Sequence, residues 1–485
     1  MTVYEGFEPV IGLEVHAQLL TESKIFCACQ TSFGAPPNSR TCPVCLGLPG
    51  ALPVLNKKTV AYAVRMILAV GGEVRRSSSF ARKNYFYPDL PKGYQISQYS
   101  RPVGSGGQVE YILSNGRKKA CRINRIHLEE DAGKSLHPES GDPYTRLDFN
   151  RCGVPLLEIV TEPDIRSPEE AYAYLVKLKL ILQHLEICSG DMEKGHLRCD
   201  ANISVRPKGK KKLGSRTELK NLNSFRGVEK ALDYEIRRQI KILKRGDEVE
   251  RATLLWDENR QVALLMRTKE ESEDYRYFRE PDLPELVIEN EWIEEIRQSL
   301  PEMPDAKIAR FIEQYGIRRY DAELLTENRS LADYYENVMA HFDNGQTAAN
   351  WMLTEILGLL SDAHEGIGTF KVSPRNTADL LNHVQNREIS GRTAKEVFRE
   401  MAQTGKSVSE IIERNGLKQI TDEKKLRLEI EKVLEDNPEQ LEQYRAGKTA
   451  LFDYFIGQVM RRTGGRAEPE TVNRLLKKIL EGIKK

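Results

Sequence analysis

Between residues 27 and 45 the chain carries four thiols as two close pairs, Cys27-Ala-Cys29 and Cys42-Pro-Val-Cys45, separated by twelve residues. Such pairs on one short loop suit tetrahedral zinc, and four cysteine ligands leave no open position, so the metal would be structural. Cys121, Cys152, Cys188 and Cys199 are scattered and read as small packed residues. A second constellation is ionisable. In the run Gly12–Gln18, strand alternation sets Glu14, His16 and Gln18 on one face and Leu13 and Val15 on the other. Arg198, Asp200, Asn202 and Ser204 alternate in the same way with Cys199, Ala201, Ile203 and Val205. Arg216, Glu218 and Lys220 follow across a basic turn, Lys208–Lys212, as a hairpin would place them.

Two further segments concentrate acid: His127-Leu128-Glu129-Glu130-Asp131-Ala132-Gly133-Lys134 and Leu156-Leu157-Glu158-Ile159-Val160. Glu158 lies inside an apolar run, where an unpaired carboxylate is costly, so it needs a partner or a metal. Each strand alone could be the solvated face of an antiparallel sheet. Together they could floor an open site. Imidazole with several carboxylates and no thiolate suits Mg²⁺ or Mn²⁺, and such ions beside Arg and Lys suggest phosphate chemistry.

The chain holds three Gly-Lys-Ser/Thr triplets, at Gly133, Gly405 and Gly447. The glycine that a phosphate-cradling loop needs five residues earlier is replaced by Leu128, Glu400 and Glu442. No G-x-S-x-G, H-E-x-x-H or G-x-G-x-x-G occurs either, so any nucleotide is held by another device. The run Arg82–Gln98, with four tyrosine or phenylalanine rings, two prolines and two lysines, fits neither a simple helix nor a simple strand. It reads as a structured loop, either packed or carrying exposed functional groups.

These residues need elements to position them. Strands are expected at Val10–Gln18, Arg122–Leu128, Leu156–Val160, His196–Val205 and Arg216–Asn221. Ser167-Pro168-Glu169-Glu170 reads as a capping box opening a helix with Leu175, Leu178, Leu182 and Leu185 on one side. A second helix runs from Ser224 to Gly246 and a third from Asn56 to Gly71-Gly72. Beyond Pro281-Asp282-Leu283-Pro284 helices succeed one another: Asp305–Tyr315, Leu331–Phe342, Thr347–Leu360, Thr377–Gln385 and Ala394–Met401. The expected fold is α+β. A mixed, largely antiparallel-sheet cradle with flanking helices spans 1–292, an all-helical domain 293–404 and a small helical tail 405–485.

All 485 residues together carry a formal charge of +1, which leaves local patches to decide any nucleic-acid binding. The last 25 residues hold eight bases (Arg461, Arg462, Arg466, Arg474, Lys477, Lys478, Lys484, Lys485) against three acids (Glu468, Glu470, Glu481), a local +5. That is either a solvated helix face or a nucleic-acid patch. No apolar run approaches the ~18 residues of a membrane span. Met1–Val10 carries no signal-peptide pattern, so a cytoplasmic protein is expected.

Several of these stretches together resemble one family. They are V-I-G-L-E-V-H at 10–16, R-K-N-Y-F-Y-P-D-L-P-K-G-Y-Q-I-S-Q at 82–98, H-L-E-E-D-A-G-K at 127–134, and L-L-E-I-V-T-E-P-D at 156–164. L-R-C-D-A-N-I-S-V at 197–205, E-L-K-N-L-N-S-F at 218–225, D-Y-R-Y-F-R-E-P-D-L-P at 274–284 and F-I-G-Q-V-M at 455–460 extend the likeness over essentially the whole chain. They resemble the B subunit of the aspartyl/glutamyl-tRNA amidotransferases.

The resemblance implies an ATP-dependent, two-step amidation of mischarged Glu-tRNA(Gln), Asp-tRNA(Asn) or both: a carbon–nitrogen ligase with glutamine as amido donor. ATP phosphorylates the side-chain carboxylate of the tRNA-bound amino acid, and ammonia then displaces phosphate. It implies a heterotrimer with an amidase A subunit, which supplies ammonia from glutamine, and a small C subunit. Nothing in the chain resembles a glutaminase nucleophile of its own. By the same likeness His16, Glu130 and Glu158 would hold a resident Mg²⁺, and Glu14, Asp200 and Glu218 a second, nucleotide-associated one. Alternation does not choose between Glu129 and Glu130 in this reading. Lys83, Arg198 and Lys220 would contact phosphate, and the tail would contact tRNA through Arg461, Arg462, Arg474, Lys477 and Lys478. Family members vary in the four cysteines, which agrees with a structural zinc. The rival reading is a non-catalytic, zinc-stabilised RNA-binding scaffold. It accounts for the cysteines and the basic tail but not for Glu158 or the acidic strand faces.

Overall fold

The computed structural model describes residues 4, 6–136, 144–268, 275–363, 365–420 and 422–483. Asp274, which opens one resembling motif, Lys484 and Lys485 of the basic tail, and residues 1–3 and 5 lie outside them. The chain divides into two compact units, Met1–Pro304 and Asp305–Lys485.

The first unit is built on a ten-stranded sheet. Its strands are β1 (Phe7–Gln18), β2 (Glu73–Val74), β5 (Gly104–Ser105), β6 (Gln108–Ile112), β7 (Lys118–Glu130), β8 (Pro155–Thr161), β9 (Leu197–Pro207), β10 (Thr217–Leu222), β11 (Ala252–Asp257) and β12 (Val262–Thr268). They lie in the order β12-β11-β10-β9-β1-β8-β7-β5-β2, with β6 on β7. β3 (Ala81–Asn84) and β4 (Tyr94–Ser97) form a three-stranded sheet with β13 (Phe278–Arg279). Every pairing is antiparallel except β10 with β11, which is parallel. A parallel neighbour needs a crossover, and the helix Phe225–Lys244 supplies it. The mixed, largely antiparallel α+β cradle is therefore as expected.

Alternation does the positioning. Leu13, Val15, Ala17, Leu128, Leu157, Ile159, Cys199, Ala201 and Ile203 are buried on one face of the sheet. In the same core lie Leu175, Leu178 and Leu182 of the helix Pro168–His184, and Val228, Leu232 and Ile236 of Phe225–Lys244. At ~1.5–3 kcal/mol for each large aliphatic side chain buried, this back face fixes the register. The opposite face is left to the polar residues. Ser167 and Ser224 cap the two helices through the N–H groups of Glu170 and Gly227. The expected capping box is half made: the Glu170 carboxylate accepts the Arg166 N–H at 3.1 Å, one residue ahead of the cap.

The run Arg82–Gln98 is not wholly a loop. Its two ends are β3 and β4, paired antiparallel, and β13, two hundred residues on, completes the sheet. The bidentate Arg82–Glu280 pair helps hold that long-range pairing, which local composition could not disclose.

The helix Asn290–Gln298 buries Ile296 in the first unit's core, and Lys57 lies 5.0 Å over its Trp292 ring. The division read at 292/293 thus cuts a helix that packs as one piece. The second unit is helical throughout, with two hydrophobic cores, one from Ile308 to Ile412 and one from Leu426 to Leu480. The helix Val408–Asn415 contributes Val408, Ile411 and Ile412 to the former, so that core extends past 404/405. Among the described residues no helix is long and apolar enough to cross a membrane.

Candidate functional site

The polar face of the large sheet carries two rows of side chains. Across β9, β1, β8 and β7, the residues Arg198, His16, Glu158 and His127 stand opposite one another. Two residues along, Asp200, Glu14, Val160 and Arg125 form the next row. All of these except Val160 floor a cleft of about 1410 Å³ walled by Lys83, Tyr85, Tyr99, Tyr275 and Tyr277.

In the first row His16 Nε2 lies 3.4 Å from both Glu129 and Glu158. His127 Nε2 lies 3.0 Å from Glu158 and 3.8 Å from Glu129. Burial disfavours charge on both imidazoles, but the attraction of Glu158 outweighs it, and each pKa is pushed up to about 9. Against its own burial, Glu158 is held well below the usual carboxylate range by His127 and His16. The ligand atoms of His16, Glu129 and Glu158 all fall within 4.8 Å of one another, a set that could hold a hard divalent ion.

Glu130 is not part of this set, which corrects the expectation. Leu128 is buried in the core, so the pleat puts Glu130 on the core side and Glu129 on the cleft side. The Glu130 carboxylate accepts the Ile96 N–H at 2.8 Å and pairs with Lys92. Both line a separate cavity of about 180 Å³ beside Lys24 and Cys45.

Glu14, Asp200 and Glu218 lie on the consecutive strands β1, β9 and β10 and face the same cleft. Among the described residues their oxygens do not close into a set as compact as the first. The Lys220 ammonium lies 2.6 Å from Asp200 and 3.0 Å from Glu218, while Asn202 donates to Glu14 at 2.8 Å and Thr253 to Glu218 at 3.2 Å. The Glu14 carboxyl pKa is raised by burial and by the neighbouring Glu158.

The structure brings Lys83, Arg198 and Lys220 to the cleft but holds each differently. Arg198 is tied to Asp131 at 2.6 Å, Lys220 to its two acids, and Lys83 lies over the rings of Tyr275 and Tyr85 at 4.8 and 5.6 Å. Further cleft residues were missed: Arg125, His127, Asp131, Arg251, Arg267, Arg276 and the tyrosines. Alternation outward from Leu128 would have found the first three. The tyrosines reach the cleft through the distant β13 pairing, which leaves no local signal.

The four cysteines of the loop converge, with all sulfurs within 4.8 Å of one another. Tetrahedral zinc at ~2.3 Å from each sulfur places them about 3.8 Å apart, so the set could hold that ion with little movement. Cys45 accepts the Cys42 N–H at 3.2 Å, and the buried Lys24 ammonium lies 3.5 Å from its sulfur. The Cys27 thiol, the Cys42 N–H and Lys24 together lower the Cys45 thiol to about 4 against its burial. The other four cysteines are buried, as expected.

In the tail, Arg462 is paired with Glu429 at 2.8 Å and with Asp436 at 2.7 Å, and Arg474 with Glu423. Arg461, Lys477 and Lys478 are exposed.

Comparison with known proteins gives consistent matches. Residues 9–294 match the family described as GatB/GatE catalytic domain, and residues 333–480 match that described as GatB domain. The B subunit of the aspartyl/glutamyl-tRNA(Asn/Gln) amidotransferase of Thermodesulfovibrio yellowstonii is 52% identical over 475 residues, which cover 98% of this chain and 99% of that one. The B subunits of the same name from Carboxydothermus hydrogenoformans and Caldanaerobacter subterraneus are 53% and 52% identical. The matched regions cover 97% and 98% of this chain, and 98% and 99% of those relatives.

Proposed function

This chain belongs to the family of aspartyl/glutamyl-tRNA(Asn/Gln) amidotransferase B subunits, and from that we propose that its cleft performs the ATP-dependent amidation of tRNA-bound glutamate, aspartate or both. The γ-phosphoryl group of ATP passes to a side-chain carboxylate oxygen of the aminoacyl group, releasing ADP. Ammonia attacks the activated carbonyl carbon, loses a proton and expels phosphate, leaving Gln-tRNA(Gln) or Asn-tRNA(Asn). A partner glutaminase A subunit supplies the ammonia, and a small C subunit completes the heterotrimer, which works in the cytoplasm.

His16, Glu129 and Glu158 would hold one Mg²⁺, and Glu14, Asp200 and Glu218 a second. When bound there, the metal neutralises the anions that phosphoryl transfer brings together. The chain's own cations serve the same end. Arg216, Lys220, Arg251 and Arg267 gather at the β10–β12 end of the cleft and suit a polyphosphate chain. Lys83 and Arg198 reach the floor nearer the aminoacyl group. Glu14, Asp200 and Glu218 would hold the second metal, and the Lys220 ammonium, which pairs with Asp200 and Glu218, would then be available to phosphate. The four cysteines take a structural zinc, and Arg461, Arg462, Arg474, Lys477 and Lys478 contact tRNA.

The observation that carries this reading is the pair of adjoining ligand rows on one polar sheet face, with the cations collected at one end. The test is ADP release by the co-purified complex, with and without Glu-tRNA(Gln), for wild type and Asp200→Ala. Stimulation by charged tRNA that Asp200→Ala abolishes, with the complex intact, is the expected result. Full tRNA-stimulated turnover by Asp200→Ala would overturn it in favour of a non-catalytic RNA-binding scaffold.

A further inference from the structure

The two ends of the cleft differ in chemistry. Four of its cations, Arg216, Lys220, Arg251 and Arg267, lie on or just ahead of β10, β11 and β12, whereas β7 is four strand steps from β10 in the sheet order, roughly 19 Å at ~4.8 Å per step. At the β7 end the wall is aromatic. Tyr99 and Tyr277 are stacked face to face, centroids 4.0 Å apart and planes 8° apart. Tyr275 meets both Tyr277 and Tyr85 edge-on, at 6.0 and 6.1 Å. Rings packed only to fill a core would be covered, yet Tyr99 is 57% exposed and lines the cleft. The stack thus offers a platform to an incoming planar group. Beside it lie Lys83 and Arg125, and Arg276, which has a partner of its own, lines the same cleft. Lys83 sits over Tyr275 and Tyr85, and Arg125 on the floor has a buried Nε with no hydrogen-bond partner among the described residues.

A ring stack of this kind suits a planar group, whereas the four cations of the opposite end serve a triphosphate better. The stack suits an unpaired nucleotide: a base to stack and a single phosphodiester to neutralise. We propose that the Tyr85–Tyr99–Tyr275–Tyr277 platform holds the base of the unpaired 3′-terminal nucleotide of the acceptor RNA, with Lys83 and Arg125 facing its phosphodiester. The ester-linked amino acid is then laid along the floor toward His16, Glu129 and Glu158, and the nucleotide triphosphate approaches from the β10–β12 end. This assignment rests on the reading of the cleft as the amidation site. The same ring chemistry could come from the adenine of ATP, and the two sources are separable.

The experiment uses the co-purified complex with Tyr99→Ala, Tyr99→Ala combined with Tyr277→Ala, and Tyr99→Phe. Affinity is measured for intact tRNA, for tRNA lacking its last nucleotide, and for a non-hydrolysable ATP analogue. Removing the platform is expected to weaken intact tRNA about tenfold or more, the scale of losing one base stack. It should leave truncated tRNA and the ATP analogue within twofold of wild type, and Tyr99→Phe should bind like wild type. Equal loss on intact and truncated tRNA, or no loss on either, overturns the proposal. Lost analogue affinity with tRNA binding intact assigns the platform to the adenine of ATP and also overturns it. Failure of the underlying reading looks different, because Asp200→Ala would then keep full tRNA-stimulated ADP release.

Discussion

At the scale of single residues, the contrast between Glu129 and Glu130 is the sharpest test of the site. They are neighbours of identical chemistry on opposite faces of β7. Both are buried, but Glu129 lies 3.4 Å from His16 and lines the cleft, whereas Glu130 packs against Lys92 and the Ile96 N–H. Glu129→Gln should therefore lower the melting temperature less than Glu130→Gln, because Glu158 still faces both imidazoles. It should lower tRNA-stimulated ADP release by more than the ~10–100-fold typical of a residue that only supports a metal ligand. Glu130→Gln should instead destabilise the fold, because removing one member of a buried pair strands the other, at about 3–5 kcal/mol. Parallel thermal melts and ADP-release assays decide it, and the reverse pattern would restore Glu130 as the ligand. The answer was legible in the sequence. Leu128 had to face the core, which sends Glu129 one way and Glu130 the other. Ending the expected strand at Leu128, and reading the segment beyond it as an acidic cluster, hid that signal.

At the scale of elements, what was legible followed period and what was missed followed distance. β1, β9 and β10 could be read from alternation with buried Leu13, Val15, Ala201 and Ile203 alone. The small sheet could not, because Phe278–Arg279 meets Ala81–Asn84 only in the fold. One helix of the second unit, Arg319–Thr326, was also missed, being too short to set up a long apolar repeat. The cysteine loop is an element whose stability is bound up with its metal. Zinc analysis of the purified complex should give one ion per chain, and Cys29→Ser should lose it with a fall in melting temperature. At a temperature where the variant remains folded, its ADP release should stay within a few-fold of wild type, since Cys27 and Cys45 line the smaller cavity and none of the four cysteines lines the cleft. Loss of turnover with unchanged melting would make the zinc catalytic. The helix Phe225–Lys244 gives a gentler probe: Ser224→Ala removes the cap on Gly227 and should cost about 1 kcal/mol in denaturant unfolding.

At the scale of the whole molecule, a net charge of +1 conceals a basic C-terminus, and the structure sorts its cations. Arg462 is engaged by Glu429 and Asp436 and Arg474 by Glu423, whereas Arg461, Lys477 and Lys478 are exposed on the helices Leu451–Arg462 and Pro469–Ile483. A cation already paired with carboxylates releases few counterions when it meets a phosphate, and an exposed one releases nearly its full share. Reversing Arg461, Lys477 or Lys478 to Glu should therefore weaken tRNA binding and flatten the plot of log affinity against log salt, by about 0.7–0.9 for each phosphate no longer neutralised. Reversing Arg462 or Arg474 should change that slope less. Both should instead lower stability, since each reversal sets a new carboxylate against one already in place. The tail's own core, Leu426 to Leu480, lies apart from the cleft residues in sequence, so ADP release at saturating tRNA should be unaffected by any of the five. If the slope does not move for Arg461, Lys477 and Lys478, the basic stretch is a solvated helix face and the tRNA is gripped elsewhere on the chain.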